Sequence, residues 1–252
     1  MKRKISVVLA ITCILFVFSL LLTGCTRGSA ADTTPPGETE DENTLSAYVV
    51  KNSGNSLLVT ADSGLYFVSL DGVKVFKNSK ELESGNLSAG MSVLIGYDGN
   101  ILESYPAQIA SAHTVKIVSE AEDKISLYEQ ALKKVFDESG TFSDLKTVAL
   151  DFSSVTLTEP QKNALWYVLS NYLSTKTEAN VICKSYDELE KDGMVGEEGF
   201  KDGVILSVKE SEHNTFSVGW YKGPLGAGGY SDCTAKLRGG EWKIDYKTAW
   251  IS

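Results

Sequence analysis

The chain is poor in the residues from which catalytic and metal centres are most often built. It has two histidines and four cysteines in 252 residues. His113 and His213 stand 100 positions apart, with no C-x-x-C pair or His/Cys cluster near either, so no spacing suggests zinc. Neither has a nucleophile close in sequence, and no G-x-S-x-G elbow is present, so both read as structural. The stretch Gly223-Pro224-Leu225-Gly226-Ala227-Gly228-Gly229 lacks the Gly-Lys-Ser/Thr ending of a phosphate loop. It leads into the strand-like alternation Cys233, Ala235, Leu237 rather than into a helix. Positive charge is scarce too: 24 Lys and Arg stand against 33 Asp and Glu, a net charge of −9. That balance excludes a basic nucleic-acid footprint and gives the body no electrostatic reason to lie on anionic lipid. Nothing in the sequence implies a cofactor.

One long apolar run is present. Ile5 to Leu22 carries no charge, follows Lys2, Arg3 and Lys4, and ends in Leu22-Thr23-Gly24-Cys25. As helix it would be roughly 27 Å long, near the lower limit for a membrane span, but no charged stop or interfacial aromatic closes it. A basic start, an apolar segment and small residues before a cysteine resemble the lipobox of a bacterial lipoprotein signal. The resemblance implies a signal peptide over residues 1–24, cleavage before Cys25, and a thioether-linked diacylglycerol on Cys25. Each buried methylene of such an anchor contributes about 0.8 kcal/mol. The resemblance also implies a protein lipid-anchored to the cell membrane with its body on the extracytoplasmic side. Removing residues 1–24 takes away three cations and no acid, leaving 21 Lys and Arg against 33 acids, or −12.

After processing, Cys183 and Cys233 are the remaining thiols. They are candidates for a disulfide closing a loop of about 50 residues, which removes roughly 4 kcal/mol of unfolded-state entropy in the simple chain model. The alternative is two separate buried thiols. Residues 25–44 comprise the lipidated cysteine and Thr26 to Thr44, TRGSAADTTPPGETEDENT. That composition reads as a disordered acidic tether with a coil span of roughly 25 Å.

The fold expectation is multidomain: a small all-β OB-like barrel over residues 45–118, followed by an α+β domain over 119–252. Leu45 to Lys51, Ser56 to Ala61, Leu65 to Leu70, Val73 to Phe76, Met91 to Tyr97 and Ile109 to Val118 are strand candidates, with Asp71-Gly72 and Asp98-Gly99 as hairpin turns. Ser92-Val93-Leu94-Ile95-Gly96-Tyr97-Asp98-Gly99 running into Glu103-Ser104-Tyr105-Pro106-Ala107-Gln108-Ile109 resembles the small OB-like barrels of uncharacterised Gram-positive lipoproteins. That resemblance carries no active site.

In the second domain, Ser119-Glu120-Ala121-Glu122 is expected to cap a helix with Ile125, Tyr128, Leu132 and Val135 on its buried face and Gly140 at its end. Lys146 to Phe152 reads as a strand. Thr158-Glu159-Pro160-Gln161 opens a second helix. Then follow a strand at Asn180 to Cys183, a short helix at Tyr186 to Lys191, and antiparallel strands at Val204 to Lys209, Phe216 to Tyr221, Tyr230 to Leu237 and Trp242 to Tyr246. Helices packed on one face of a curled antiparallel sheet are the expected layer, similar in architecture to cystatin-like or NTF2-like cone folds.

Candidate chemistry is sparse. Gly223, Gly226, Gly228 and Gly229 suit a mobile hairpin connection and, if the sheet cups a ligand, its rim. Trp220, Trp242 and Trp250 with Tyr221, Tyr230 and Tyr246 would make a sugar-stacking platform, but alternation along the strands assigns Trp220 and Trp242 to the core. Trp250 has no place in any pattern. The acid pairs Asp187/Glu188, Glu197/Glu198 and Glu210/Glu212 read as solvated loops, and Asp151 as a turn or cap beside Ser153 and Ser154.

The reading that follows is a non-catalytic envelope lipoprotein that binds a small ligand or an envelope protein. Its membrane contact is through the lipid on Cys25. The alternative is an extracytoplasmic hydrolase of envelope glycan or peptide. A transporter-type solute-binding protein should show two βαβ lobes, and the first half here is strand-only.

Overall fold

The computed structural model describes residues 43–139, 144–212 and 215–252. The signal segment, Cys25, the tether up to residue 42, Gly140 and His213 lie outside the described residues. Asn43 and Thr44, read above as the end of the tether, pair with Tyr97 and Gly96 and so begin the first strand.

Eight strands form the first sheet: β1 (Asn43–Asn52), β2 (Ser56–Ala61), β3 (Gly64–Ser69), β4 (Lys74–Lys77), β5 (Lys80–Leu82), β6 (Met91–Tyr97), β7 (Ala107–Ile109) and β8 (Ala112–Glu120). Their order is β5-β4-β8-β6-β1-β2-β3-β7. The terminal strands β5 and β7 have three residues each and are not paired to one another, so the sheet is a curled half-barrel rather than the closed barrel expected. Its inner face is filled by Val49, Leu57, Val59, Val68, Ile95 and Val115.

The alternate side chains Val50, Leu58 and Leu65 point the other way and join a different core. That explains the near-continuous apolar run of β2, whose residues Leu57 to Ala61 are all buried. A strand covered on both faces loses the polar half of its alternation. Thr60, 2% exposed, meets this second layer with its hydroxyl, which donates to Pro160 O at 2.9 Å.

The layer it meets consists of α1 (Lys124–Glu138) and α2 (Glu159–Leu173). Asp123 caps α1, accepting from Ser126 N at 3.1 Å. The box read at Ser119 is wrong because Ser119 and Glu120 are spent in the β8 ladder against Ser92 and Met91 of β6. Thr158 opens α2 as the sequence implies, and with Gln161 it forms a capping box. Ile125, Tyr128, Leu132 and Val135 are buried on α1, and Leu165, Leu169 and Leu173 on α2.

Beyond the helices lies a second sheet built from β9 (Thr147–Ser154), β10 (Asn180–Cys183), β11 (Gly203–Ser211), β12 (Thr215–Gly223), β13 (Gly226–Arg238), β14 (Glu241–Asp245) and β15 (Thr248–Ile251). The order is β10-β9-β11-β12-β13-β14, with β15 also on β13. It is mixed rather than antiparallel: β9 runs parallel to both β10 and β11, because α2 and the short α3 (Tyr186–Lys191) supply crossovers long enough for parallel pairing. The helix-facing side of this sheet, including Leu150, Leu206, Val208, Phe216 and Val218, shares one core with both helices and with Val50, Leu58 and Leu65 of the first sheet. The helical layer is therefore buried from two sides. The opposite side of the sheet is partly covered by α3 and the following loop, through Ala149, Leu189, Val195, Phe200 and Ile205.

Among the described residues no helix is long and apolar enough to cross a membrane.

Candidate functional site

A cleft of about 890 Å³ opens where the end of β1, the turn at Ser84–Asn86 and the two long helices meet. Its floor is Val50, Leu58, Leu87 and Val168; Phe67, Tyr167 and Tyr172 add aromatic walls, and Lys51, Asn171, Ser88 and Ser126 stand among the polar lining.

Internal bonds hold the rim. Asn52 donates through Nδ2 to Ser84 O at 3.1 Å and Leu87 O at 2.8 Å, while its Oδ1 accepts from Gly54 N at 2.8 Å. On the helical side Lys133 pairs with Glu129 one turn earlier and sits 4.5 Å from the Tyr172 ring centroid. The Tyr172 hydroxyl shares its one proton between the two Asp137 carboxylate oxygens, each 2.6 Å away. Burial raises the Tyr172 hydroxyl, and the Asp137 carboxylate raises it further. Asp123, 7% exposed, lies at the inner end of the cleft; burial raises its carboxyl despite the hydrogen bond from Ser126. The two carboxylates lining the cleft are thus engaged, one as a helix cap and one as an ion pair. The surface left for a ligand is apolar at the base and polar at the rim, the usual arrangement of a small-molecule site.

A second polar centre lies at the N-terminal end of α1, on Lys124 and Tyr128 rather than on the cleft-lining Ser126, Glu129 and Lys133. Glu210 of β11 accepts from Lys124 Nζ at 2.9 Å, from the Tyr128 hydroxyl, and from Thr156 N at 3.1 Å. Burial pushes the Glu210 carboxyl up, but these hydrogen bonds and the Lys124 charge outweigh it and hold the group at about 2. In the sequence Glu210 reads as part of a solvated loop. It is instead a strand residue, its side chain 19% exposed, joining three segments that are distant in sequence.

The glycines resolve into structural roles. Gly223 and Gly226 pair across a two-residue turn, Pro224-Leu225, so the segment is the hairpin connection the sequence implies. A Cβ on Gly229 would stand 2.2 Å from Val218 O, and one on Gly228 would stand 3.0 Å from Trp220 Nε1. Close approach of strand and ring requires glycine there, and anion binding is not needed to explain it. The hairpin tip borders a separate shallow pocket that Glu198 and Lys222 also line.

The disulfide expectation fails. Cys183 and Cys233 are both free, the first exposed and the second buried. Their strands, β10 and β13, are four spacings apart in the sheet order, roughly 19 Å at about 4.8 Å per strand, whereas a disulfide needs Cα atoms within about 7 Å. Burial pushes the Cys233 thiol up to about 11.

The six-residue aromatic platform also divides. Trp242 is buried and donates Nε1–H to Asp123 O at 2.8 Å. Trp220, Tyr230 and Tyr246 pack against the same helix-side core, whereas Tyr221 packs on the opposite side of the sheet. Trp250 lies in β15, paired with Gly229. Asp151 has the capping role expected, accepting from Ser153 N at 2.9 Å, and also from Tyr186 N at 3.1 Å, which ties α3 to β9. His113 is an exposed residue of β8. Of the other acids, Glu188 completes the capping box of α3 with Ser185.

Sequence reasoning missed the cleft because its walls come from residues 50–54, 85–89, 126–133 and 167–172, which no motif links. Among the described residues no group of three or more His, Cys, Asp or Glu is placed to hold a metal ion. No family model, curated protein or solved structure matches this chain.

Proposed function

We propose that the chain is an extracytoplasmic lipoprotein, held to the cell membrane by lipid on Cys25, whose body is a non-catalytic module binding a small ligand or an envelope partner. In this reading the first sheet, over residues 45–118, is an open OB-like half-barrel and the remainder is an α+β domain. The observation that supports binding is the cleft of about 890 Å³ between β1 and the long helices, with its apolar floor, aromatic walls and internally braced rim. A site whose walls are already fixed pays little ordering cost when a ligand enters.

Two measurements test the proposal. Mass spectrometry of membrane-extracted protein should find an acylated Cys25 as the first residue; an intact Met1 or an unmodified Cys25 overturns the anchoring. Native mass spectrometry of the full chain from its own envelope fraction should show a co-purifying small molecule or partner that is lost in Asn171→Trp, a variant that fills the cleft from an exposed helix position. Turnover of a glycan or peptide substrate panel, abolished by one substitution, would replace the binding module with a hydrolase.

A further inference from the structure

The side of the second sheet turned away from the long helices carries an arrangement the cleft does not explain. Asp151, Ser207, Gly219, Gly229 and Trp250 are successive cross-strand partners on β9, β11, β12, β13 and β15, so their side chains form one row on this face. The two glycines leave a bare stretch of backbone in the middle of the row. Trp250 occupies it. A Cβ on Gly219 would lie 3.1 Å from Trp250 Cζ2 and 3.6 Å from Cη2, so the indole extends from β15 past Gly229 to the backbone of β12. The ring rests on main chain, yet the residue keeps 41% of its surface exposed.

Tyr221, two residues along β12 from Gly219, shares this face and packs edge-on against Tyr186 of α3, ring centroids 5.7 Å apart. Trp250, Tyr221 and Tyr186 thus form an aromatic arc, with Tyr186 36% exposed. Beside it, the Ser207 and Ser217 hydroxyls make no side-chain hydrogen bond among the described residues.

We propose that this arc is a glycan-binding site separate from the cleft, taking an uncharged saccharide segment. Sugar rings present C–H faces that suit the negative faces of aromatic rings, and their equatorial hydroxyls can exchange hydrogen bonds with Ser207 and Ser217. Charge selects against an acidic polymer. Asp187 and Glu190 act on the Tyr186 hydroxyl, and the protein as a whole is acidic. The carboxylates nearest the row are already committed: Asp151 to two backbone N–H groups, Asp232 to the hydroxyls of Ser231 and Thr248. A rigid ring fixed on glycine backbone loses little freedom on binding.

Calorimetric titration of the full chain with chitohexaose and with cellohexaose, using polygalacturonate as the anionic comparator, tests the site. At least one neutral hexamer should bind. Trp250→Ala should weaken it at least tenfold, Trp250→Phe no more than about threefold, and the cleft variant Asn171→Trp should leave it unchanged. Tyr186→Ala, on the short helix outside the ladder, should weaken binding severalfold and serves if Trp250→Ala does not fold. Failure of both neutral hexamers, tighter binding of polygalacturonate, undiminished affinity in folded Trp250→Ala, or loss of binding in Asn171→Trp would each overturn the assignment.

Discussion

Replacing Glu210 by alanine should separate α1, β11 and the segment after β9 at their shared polar joint. The carboxylate accepts from Lys124, Tyr128 and Thr156 N; without it a largely buried tyrosine hydroxyl and a backbone N–H lose their acceptor. Hydrogen bonds to a charged group contribute about 1.5–3 kcal/mol, and stranded donors add to the loss, so Glu210→Ala should cost about 2–3 kcal/mol at pH 7. The effect must depend on pH. The Glu210 carboxyl is lowered from 4.5 to about 2 in the folded protein, so its stabilisation is fully present above the unfolded value and is lost as pH falls toward 2. The shift sets a ceiling of about 3 kcal/mol, and screening at a partly exposed side chain brings it to about 2 kcal/mol. Urea unfolding of both proteins at pH 7, 4.5, 3 and 2.5 measures this directly. The gap between wild type and variant should be widest at pH 7 and narrow by at least half at pH 2.5. A gap independent of pH, or one below about 0.5 kcal/mol at pH 7, would refute the reasoning.

Asp123 works in the opposite sense: burial raises its carboxyl, so its ionised form costs stability as pH rises through the folded value. Asp123→Asn keeps a good helix cap and should stabilise the protein by about 0.5–1 kcal/mol at pH 7 and by nothing at pH 3, as read by urea midpoints; a loss of stability at pH 7 would count against this account. Gly229→Ala drives a methyl group to 2.2 Å from Val218 O and should destabilise by at least about 2 kcal/mol, whereas Gly196→Ala, with open space around it, should stay within about 0.5 kcal/mol; similar thermal midpoints for the two would contradict the close packing of β12 on β13. Thiol mapping by peptide analysis should find Cys183 alkylated in the folded protein and Cys233 only after unfolding. A Cys183–Cys233 cross-linked peptide would overturn the strand order.

Much of the strand content was legible in the sequence because it follows period and turn chemistry. Ser56 to Ala61 and Met91 to Tyr97 coincide with β2 and β6, and Gly72 and Gly99 have the positive φ of turn glycines, but neither turn is the hairpin expected, because β3 does not pair with β4 nor β6 with β7. The misses have physical causes. The turn between β4 and β5 uses Asn78-Ser79, both at positive φ, where the recognisable signal would have been Asn-Gly. Ser119 carries a capping pattern, but a ladder with β6 outcompetes it. Thr248 to Ile251 is too short to announce itself, and it becomes a strand only because β13 is long enough to hold both β14 and β15. The parallel arrangement of β9 with its neighbours depends on where the α2 and α3 crossovers land, which no local pattern encodes. The cleft was invisible for a similar reason: each wall residue is ordinary in its own element.

The position of β1 has a mechanical consequence. Everything upstream of Asn43 connects to the body through this strand, which lies between β6 and β2 rather than at an edge. Its first half is bonded from Asn43 to Tyr48 against β6 and its second half from Tyr48 to Asn52 against β2. A pull on the upstream chain along the axis of β1 therefore loads both ladders in shear, so that many hydrogen bonds must yield together. A strand at the sheet's rim pulled sideways would peel one bond at a time. The body should resist a force applied to the chain at Asn43 better than an equal force applied at β15, whose four-residue ladder sits at the rim.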